Sequence, residues 1–251
     1  MSARFLARWE ITDVDGAVVA IDVLRAFTTA AYAFGAGAEA IYLVGTVDEA
    51  LALKADHPGW LAMGEDRGRR VDGFDFSNSP VEVASQDLTG RTIVQRTSAG
   101  TQGVVAAKAA TRLWCASLVC ATATADALRA SGLGAPTYVI TGRFADRPDI
   151  RGEDDLATAQ CIERIRLGHD PELDRAARDV AQSDEAARTL AVGEGHVHPD
   201  DIAYAIDVDR FDFAMEVRRA AIATGARASG RATASSGASA GAGAILTAVR
   251  R

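Results

Sequence analysis

The sequence has few cysteines, no long apolar run and no excess of positive charge. Its 251 residues include only Cys115, Cys120 and Cys161, whose spacing fits neither a disulfide framework nor a zinc site. No stretch approaches the roughly 20 apolar residues of a membrane span, and the N-terminus lacks a signal-peptide pattern. The net charge of −7 argues against a nucleic-acid binder, whose surface would be basic. We therefore expect a cytoplasmic protein that binds neither membranes nor nucleic acid.

Several catalytic motifs are also missing. No Gly-x-Gly-x-x-Gly segment follows a strand, so a nicotinamide cofactor is not supported. There is no Gly-x-Ser-x-Gly elbow, which a serine hydrolase of the α/β class would need. None of the four histidines lies in a zinc-binding pattern such as His-Glu-x-x-His. What remains is a set of acidic and basic residues at the ends of strand-like runs.

Strand-like and helical patterns alternate through the first 145 residues. Apolar runs at 18–21, 41–44, 91–95, 113–118 and 137–141 read as buried strands, and this alternation predicts a mainly parallel or mixed sheet covered on both faces. Thr46 with Glu49, and Ser79 with Glu82, have the spacing of helix capping boxes. The second half is mainly helical in pattern, with a last strand at 210–217.

We predict one three-layer α/β/α domain over residues 1–222, with an optional subdomain boundary near residue 145. Residues 223–251 are mostly Ala, Gly, Ser, Thr and Arg. Because such a segment has few large apolar side chains to bury, we expect it to be a disordered, low-complexity tail.

Asp22 and Arg25 lie where an apolar strand gives way to a helical pattern. Ligands of open α/β sheets bind beyond the carboxyl ends of the strands, so Asp22 could be a metal ligand or a nucleophile. A helix N-cap is the alternative for Asp22. Arg25 lies in the first helical turn, where it would reinforce the attraction of the helix N-terminus for an anion. A solvated helix residue is the alternative for Arg25.

Two polar segments could complete such a site. Glu65 follows a short apolar run, and together with Asp22 it could bind Mg²⁺, which is typically held by one or two carboxylates plus phosphate oxygens. An exposed acidic turn is the alternative for Glu65. The segment 96–101 (RTSAGT) offers hydroxyls and backbone N–H groups that could cradle a phosphate. It lacks the P-loop pattern, and an ordinary strand-to-helix turn is the alternative.

Four segments together resemble a known family. IDVLRAFTT, GEDRG, GFDFSNSP and TSAGT, in this order and spacing, resemble the 2-phosphosulfolactate phosphatase family (ComB-type). The resemblance covers residues 18–130 well and continues more loosely, through the acidic segment 152–155, to about residue 217. It implies a phosphoric monoester hydrolase that uses Mg²⁺ to convert (2R)-phospho-3-sulfolactate to 3-sulfolactate and phosphate, a step of coenzyme M synthesis in methanogens.

The resemblance and the residue chemistry together suggest a site. The expected catalytic residues are Asp22, Arg25, Glu65 and Asp75. The expected residues for the small anionic phosphorylated substrate are Arg67, Asn78, Ser79, Arg96, Ser98, Gly100 and Thr101. The expected Mg²⁺ ligands are Asp22, Glu65, Glu153 and Asp154. Guanidinium groups suit the phosphate, carboxylate and sulfonate of the substrate, and an aspartyl phosphate at Asp22 stays open as a route.

Two departures from the family pattern suggest an alternative. Ala99 stands where the family turn usually has asparagine, and Cys120 to Thr122 replace another asparagine-containing turn. A non-catalytic relative that binds an anionic metabolite is therefore the second hypothesis. A structural or interaction protein with a disordered tail is the third, and assembly into a homo-oligomer is left open.

Overall fold

The computed structural model describes residues 2–12, 14–220 and 245–250. In these ranges it has the predicted three-layer α/β/α architecture with a mixed sheet. The strands are β1 (Arg4–Ala7), β2 (Ala17–Ile21), β3 (Ala40–Leu43), β4 (Leu61–Gly64), β5 (Thr92–Arg96), β6 (Arg112–Ala116), β7 (Thr137–Ile140), β8 (Met215–Ala220) and β9 (Ile245–Arg250). The helices are α1 (Ala26–Gly35), α2 (Val47–Asp56), α3 (Pro80–Ala84), α4 (Gly100–Ala106), α5 (Ala121–Ser131), α6 (Glu153–Leu167), α7 (Leu173–Ala181), α8 (Asp184–Ala191) and α9 (Asp201–Ala205).

The strands form one sheet in the order β1-β7-β2-β6-β8-β9-β3-β5-β4. The pairs β1–β7, β7–β2, β2–β6, β3–β5 and β5–β4 are parallel. The pairs β6–β8, β8–β9 and β9–β3 are antiparallel. These three reversals make β3, β5 and β4 run opposite to β1, β7, β2 and β6.

The twist of the sheet explains how strands of opposite direction can end near one another. Five steps separate β2 from β5 in the sheet. Neighbouring strands rotate by roughly 20–25° at each step, so five steps add up to more than about 100°. A rotation of this size would turn the carboxyl ends of β4 and β5 toward those of β2 and β7.

The centre of the fold is β2, all five of whose residues are buried. Val18 and Ala20 pack into the core cluster that contains α1, while Val19 and Ile21 pack into the cluster that contains α5 and α6. The alternation follows from the strand period of two residues. Because helices cover both faces, β2 is an unbroken apolar run, as expected of a strand buried on both sides.

The C-terminal strands differ from the expectation. Residues 245–250, predicted as part of a disordered tail, form β9 between β8 and β3. This corrects the expected tail at its C-terminal end: the segment ILTAVR contains β-forming residues that composition averaged over 29 positions conceals. Residues 223–244 and 251 of that tail lie outside the described residues. The strand expected at 210–217 is observed as Met215–Ala220.

The helical second half is observed as predicted, as α6 to α9. No described helix is both long and apolar enough to cross a membrane. The subdomain boundary near residue 145 stays a prediction.

Candidate active site

A cavity of about 200 Å³ lies at the point where β2, β4 and β7 end. The residues after these strands contribute Asp22, Glu65 and Gly142 to its wall, and Ser98 enters from the turn after β5. Helices α6 and α8 close it from the second half of the chain. The cavity thus lies where ligands of α/β sheets are expected, outside the carboxyl ends of strands.

Asp22 is almost fully buried and serves both α1 and the cavity. Its Oδ1 accepts the Ala26 N–H at 2.9 Å, so it holds the start of α1 while it lines the cavity. Burial raises the pKa of Asp22 to about 6; the Ala26 N–H opposes the rise, Glu65 adds to it, and the Gly100 N–H and Arg25 oppose it. The N-cap of α1 is Arg25 and not Asp22, so the N-cap alternative for Asp22 is wrong, although the Asp22 carboxylate still contacts the first residue of the helix.

Gly100 lets the turn after β5 approach Asp22 closely. A Cβ at position 100 would lie 2.7 Å from Asp22 Oδ2 and 2.7 Å from the Cβ of Ala26. Neither neighbour has room to move, since both are buried. A side chain at this position would push the turn away from the carboxylate.

Glu65 joins the loop after β4 to the turn after β5. Its Oε1 accepts the Ser98 N–H at 2.5 Å. Its Oε2 accepts the Gly68 N–H at 2.5 Å and the Ser98 hydroxyl at 3.0 Å. The preceding Gly64 has φ +133°, and a Cβ there would lie 1.9 Å from the Arg96 carbonyl oxygen. Glu65 therefore holds two loops of the cavity wall together.

Arg25 is a buried cation in the wall, 3% exposed. Its Nη1 donates to Asp201 Oδ2 at 2.7 Å and to the carbonyl oxygen of His196 at 3.1 Å. Within the described part of the chain, every hydrogen bond of this guanidinium leaves from Nη1. Its Nε and Nη2 are therefore free to donate to an anion.

Three buried oxygen atoms of the wall have no hydrogen-bond partner within the described residues. They are Asn78 Oδ1, Asp154 Oδ1 and Glu185 Oε2. Burial raises the pKa of Asp154 to about 8, and Glu185 and Asp22 add to the rise while the N–H groups of Asp155 and Asp154 oppose it.

Buried polar atoms normally have partners, and oxygens of this kind are the ligands of hard divalent cations. The donor set therefore suits Mg²⁺. In the described ranges, however, no three Asp, Glu, His or Cys side chains are already grouped as a metal site.

Asp155 was missed as a site residue, although it belongs to the acidic segment noted in the sequence. Its Oδ1 accepts the Val23 N–H at 3.0 Å and its Oδ2 accepts the Gly142 N–H at 2.8 Å. Burial raises its pKa well above the usual carboxyl value, Asp154 and Asp22 add to this, and the two N–H bonds oppose it. Asp155 thereby ties the residues after β2 to those after β7.

The cavity gathers about half of the predicted residues. Besides Asp22, Arg25, Glu65, Asn78 and Asp154, its wall contains two more of them, Arg67 and Ser98. The Arg67 N–H donates to the Ser98 hydroxyl at 2.8 Å, which places the two residues side by side. Gly100 adjoins the wall through Asp22.

The other predicted residues lie outside this wall. Asp75 pairs with Lys54 at 2.8 Å, and the exposed Glu153 faces Arg151 at 3.7 Å. Arg96 pairs with Asp66 at 2.7 Å, in an adjoining groove that shares Arg67, Ser98 and Phe144 with the cavity. The Ser79 hydroxyl donates to Asp201 at 2.5 Å, and the Thr101 hydroxyl donates to the carbonyl oxygen of Thr97 at 2.9 Å. In the structure these side chains support neighbouring segments.

Helix α8 brings two further charged residues that sequence reasoning missed. Glu185 and Arg188 both line the cavity, and Arg188 Nη1 donates to Glu185 Oε1 at 2.8 Å. In the sequence they belong to an ordinary amphipathic helical pattern, which gives no sign of a site more than 80 residues from Ser98. Only the fold brings them to the cavity.

Known proteins resemble this chain over most of its length. A family model described as 2-phosphosulpholactate phosphatase matches residues 6–219. A protein of Bacillus subtilis (strain 168) named "Probable 2-phosphosulfolactate phosphatase" is 34% identical over 202 residues, which cover 80% of this chain and 86% of the relative. Proteins with the same name from Carboxydothermus hydrogenoformans and Thermus thermophilus are 47% identical over 114 residues and 39% identical over 143 residues. These matches cover 45% and 57% of this chain and 47% and 58% of the respective relatives.

Proposed function

Because this chain belongs to the 2-phosphosulfolactate phosphatase family, we propose that it hydrolyses (2R)-phospho-3-sulfolactate to 3-sulfolactate and phosphate with Mg²⁺ as cofactor. One observation supports this proposal most directly. The buried guanidinium of Arg25 and three unpartnered buried oxygens line the same cavity as Asp22. A cation-and-anion site of this kind suits a phosphate ester that binds together with a metal ion.

The charge of the cavity matches the charge of the substrate. Phosphosulfolactate carries a phosphate, a carboxylate and a sulfonate, so its binding requires several positive groups. The wall supplies three guanidiniums, those of Arg25, Arg67 and Arg188. Guanidinium forks can donate two parallel hydrogen bonds to such oxyanions. Arg25 is the most deeply buried of the three, and we assign the phosphate to it because burial strengthens charge-assisted contacts.

The metal would be held by the Asp22 carboxylate together with the three wall oxygens that lack partners. Asp22, Asn78, Asp154 and Glu185 line the cavity, and they would hold Mg²⁺. Glu65 suits this role less than expected because its oxygens already accept three hydrogen bonds, and Glu153 is exposed. A bound Mg²⁺ would neutralise phosphate charge and stabilise the charge that develops during transfer.

The residues of this chain position the phosphate group for attack. Arg25 holds phosphate oxygens, and the turn through Ser98 and Gly100 is kept against Asp22 by the Glu65 bonds. Attack then comes either from water or from the Asp22 carboxylate, and the second route passes through an aspartyl phosphate. In both routes the fixed dipoles and charges of the wall provide most of the stabilisation of the transition state, as is usual for phosphoryl transfer.

The test is phosphate release from phosphosulfolactate with and without Mg²⁺, for the wild type, Asp22→Ala and the control Asp126→Ala. Asp126 is an exposed aspartate of α5, paired with Arg129. We expect metal-dependent release by the wild type and the control and a loss of release in Asp22→Ala. No release by the folded wild type, from this ester or from a panel of phosphorylated hydroxy acids, would contradict the proposal.

That negative result would favour the second hypothesis, a relative that binds an anionic metabolite without turnover. Its motivation is Ala99, which lines the cavity and cannot supply the polar side chain that the family turn usually has. Binding of sulfolactate without hydrolysis of its phosphate ester is the result that this alternative predicts.

A further inference from the structure

A buried ion pair lies behind the cavity wall. Arg25 Nη1 and Asp201 Oδ2 are 2.7 Å apart, and the side chains are 3% and 0% exposed. Asp201 is the first residue of α9 and does not itself line the cavity. It is therefore the residue behind the guanidinium, on the side away from a bound substrate.

The Asp201 carboxylate joins three segments of the chain. Its Oδ1 accepts the Ser79 hydroxyl at 2.5 Å, and its Oδ2 accepts the His198 N–H at 3.0 Å in addition to Arg25. Ser79 also caps α3, where its oxygen accepts the Glu82 N–H. Because both of its oxygens are hydrogen-bonded, the carboxylate is held in a single orientation. This orientation fixes the direction from which the Arg25 guanidinium donates to it.

The bonds to Arg25 restrict the guanidinium plane. Asp201 Oδ2 and the His196 carbonyl oxygen both accept from Nη1. A planar guanidinium held at one nitrogen by two fixed acceptors presents its other nitrogens in a defined direction. Asp201 also supplies the negative charge that a buried guanidinium needs when no anionic substrate is present.

We propose that Asp201 is a positioning residue, which orients Arg25 toward the phosphate oxygens of the substrate without contacting the substrate itself. The proposal rests on the proposed function, because it takes Arg25 to be the phosphate-binding residue. It assigns a role in the site to a residue 176 positions away in the sequence.

The test is a double-mutant cycle with Asp201→Asn and Arg25→Lys, measured as kcat and KM. Asp201→Asn keeps the size of the side chain and removes its charge. We expect kcat/KM to fall about 100-fold, the scale of a misplaced catalytic contact. In the Arg25→Lys background the same change should cost far less, because residues that act together are non-additive. Equal costs in both backgrounds, or a full kcat/KM in Asp201→Asn, would overturn the proposal.

Glu163→Gln is the matched control. Like Asp201→Asn, it changes an acid to an amide at a shielded ion pair, here the pair of Glu163 with Arg166 at 2.7 Å. Glu163 lies outside the cavity wall, on the part of α6 that faces Tyr138. This variant should keep the wild-type kcat/KM. If it loses as much activity as Asp201→Asn, the loss reflects general destabilisation and the proposal fails.

Two further measurements cover the remaining outcomes. If the wild type does not hydrolyse phosphosulfolactate, the proposed function fails. Calorimetric binding of inorganic phosphate then tests the role of Asp201. Weaker binding by Asp201→Asn than by Glu163→Gln supports the orientation of Arg25 by Asp201, and equal binding overturns it.

If Asp201→Asn does not fold, Ser79→Ala removes one bond to the same carboxylate. A smaller loss of kcat/KM that disappears in the Arg25→Lys background supports the proposal, and an additive loss contradicts it.

Discussion

The unpartnered oxygens of Asn78, Asp154 and Glu185 are unusual features of single residues. A buried polar group without a partner costs about 1–3 kcal/mol, and three of them line one cavity. A ligand that completes the hydrogen bonds of these groups is the simplest explanation for such a cost in one place. The stability of the chain should therefore respond to that ligand.

We predict that Mg²⁺ raises the melting temperature of the wild type. A ligand at a hundred times its Kd stabilises a protein by about 2.7 kcal/mol. The rise should be strongly reduced in Asp154→Asn and retained in Glu153→Gln. These neighbours differ because Asp154 is buried in the wall whereas Glu153 is exposed. Thermal unfolding in EDTA and in MgCl₂ measures this, and an equal rise in both variants would contradict the ligand assignment.

Gly100 is a second position where a single residue decides the geometry. Gly100→Ala would place a methyl group 2.7 Å from both Asp22 Oδ2 and Ala26 Cβ. We predict destabilisation by about 1–3 kcal/mol, as for overpacked cores, together with loss of phosphate release. Denaturant unfolding and the phosphatase assay measure these effects.

Gly45→Ala is the control for this change, since its Cβ would meet only Glu49 Oε2 at an ordinary 3.5 Å. Wild-type behaviour of Gly100→Ala would show that the turn has more room than the structure indicates.

At the scale of elements, capping patterns in the sequence predicted helix starts well. Thr46 and Glu49 form the expected reciprocal cap of α2, and α2 ends at Asp56 as predicted. Ser79 caps α3 as expected, but the Glu82 carboxylate turns away to accept from Ser77. Local hydrogen bonds of this kind depend on residues three apart, so the sequence contains most of the information.

Helix α8 is different, because its contribution to the cavity depends on where the helix packs. We predict that Arg188→Gln raises KM by about tenfold with little change in kcat, the result of losing a charge-assisted contact that is made equally in the ground and transition states. Arg175→Gln is the control, an exposed arginine of α7 with similar acidic neighbours. Steady-state kinetics with phosphosulfolactate measures both. An unchanged KM in Arg188→Gln would remove Arg188 from the substrate site.

At the scale of the whole molecule, the antiparallel pair β8–β9 joins two sets of parallel strands. Residues of β9 pair with β8 on one side and with β3 on the other. The sheet is continuous only because β9 is present. The cytoplasmic location, the homo-oligomer and the link to coenzyme M synthesis concern the molecule in the cell, and they stay predictions.

We predict that a chain ending at residue 244 loses cooperative folding or melts at a much lower temperature. The truncation leaves the backbone groups of β3 and β8 that face β9 without partners. Removal of Arg251 alone is the control, since β9 is Ile245–Arg250. Thermal unfolding followed by circular dichroism distinguishes the two. An unchanged transition in the shorter chain would support the disordered tail that composition suggested.

The sequence by itself determined the layered fold and identified many of the residues that line the cavity. Asp22, Glu65 and the turn through Ser98 were found because they follow apolar strands, and short-range periodicity marks such strands. The strand β9 was missed because a composition signal averages over a long segment and conceals the β-forming residues Ile245, Thr247 and Val249 at its end.

The tertiary structure alone decided which distant side chains share the cavity. Asp201 lies 176 residues from Arg25, and Glu185 and Arg188 lie on a helix with an ordinary pattern. Their positions follow from the strand order and from packing between elements: α6 packs on β2 and β7, α8 on α6, and α9 on α3. Local sequence patterns indicate the secondary-structure propensity and the burial of neighbouring residues. The contacts between distant residues depend instead on the direction in which whole elements pack, and local patterns do not contain that information.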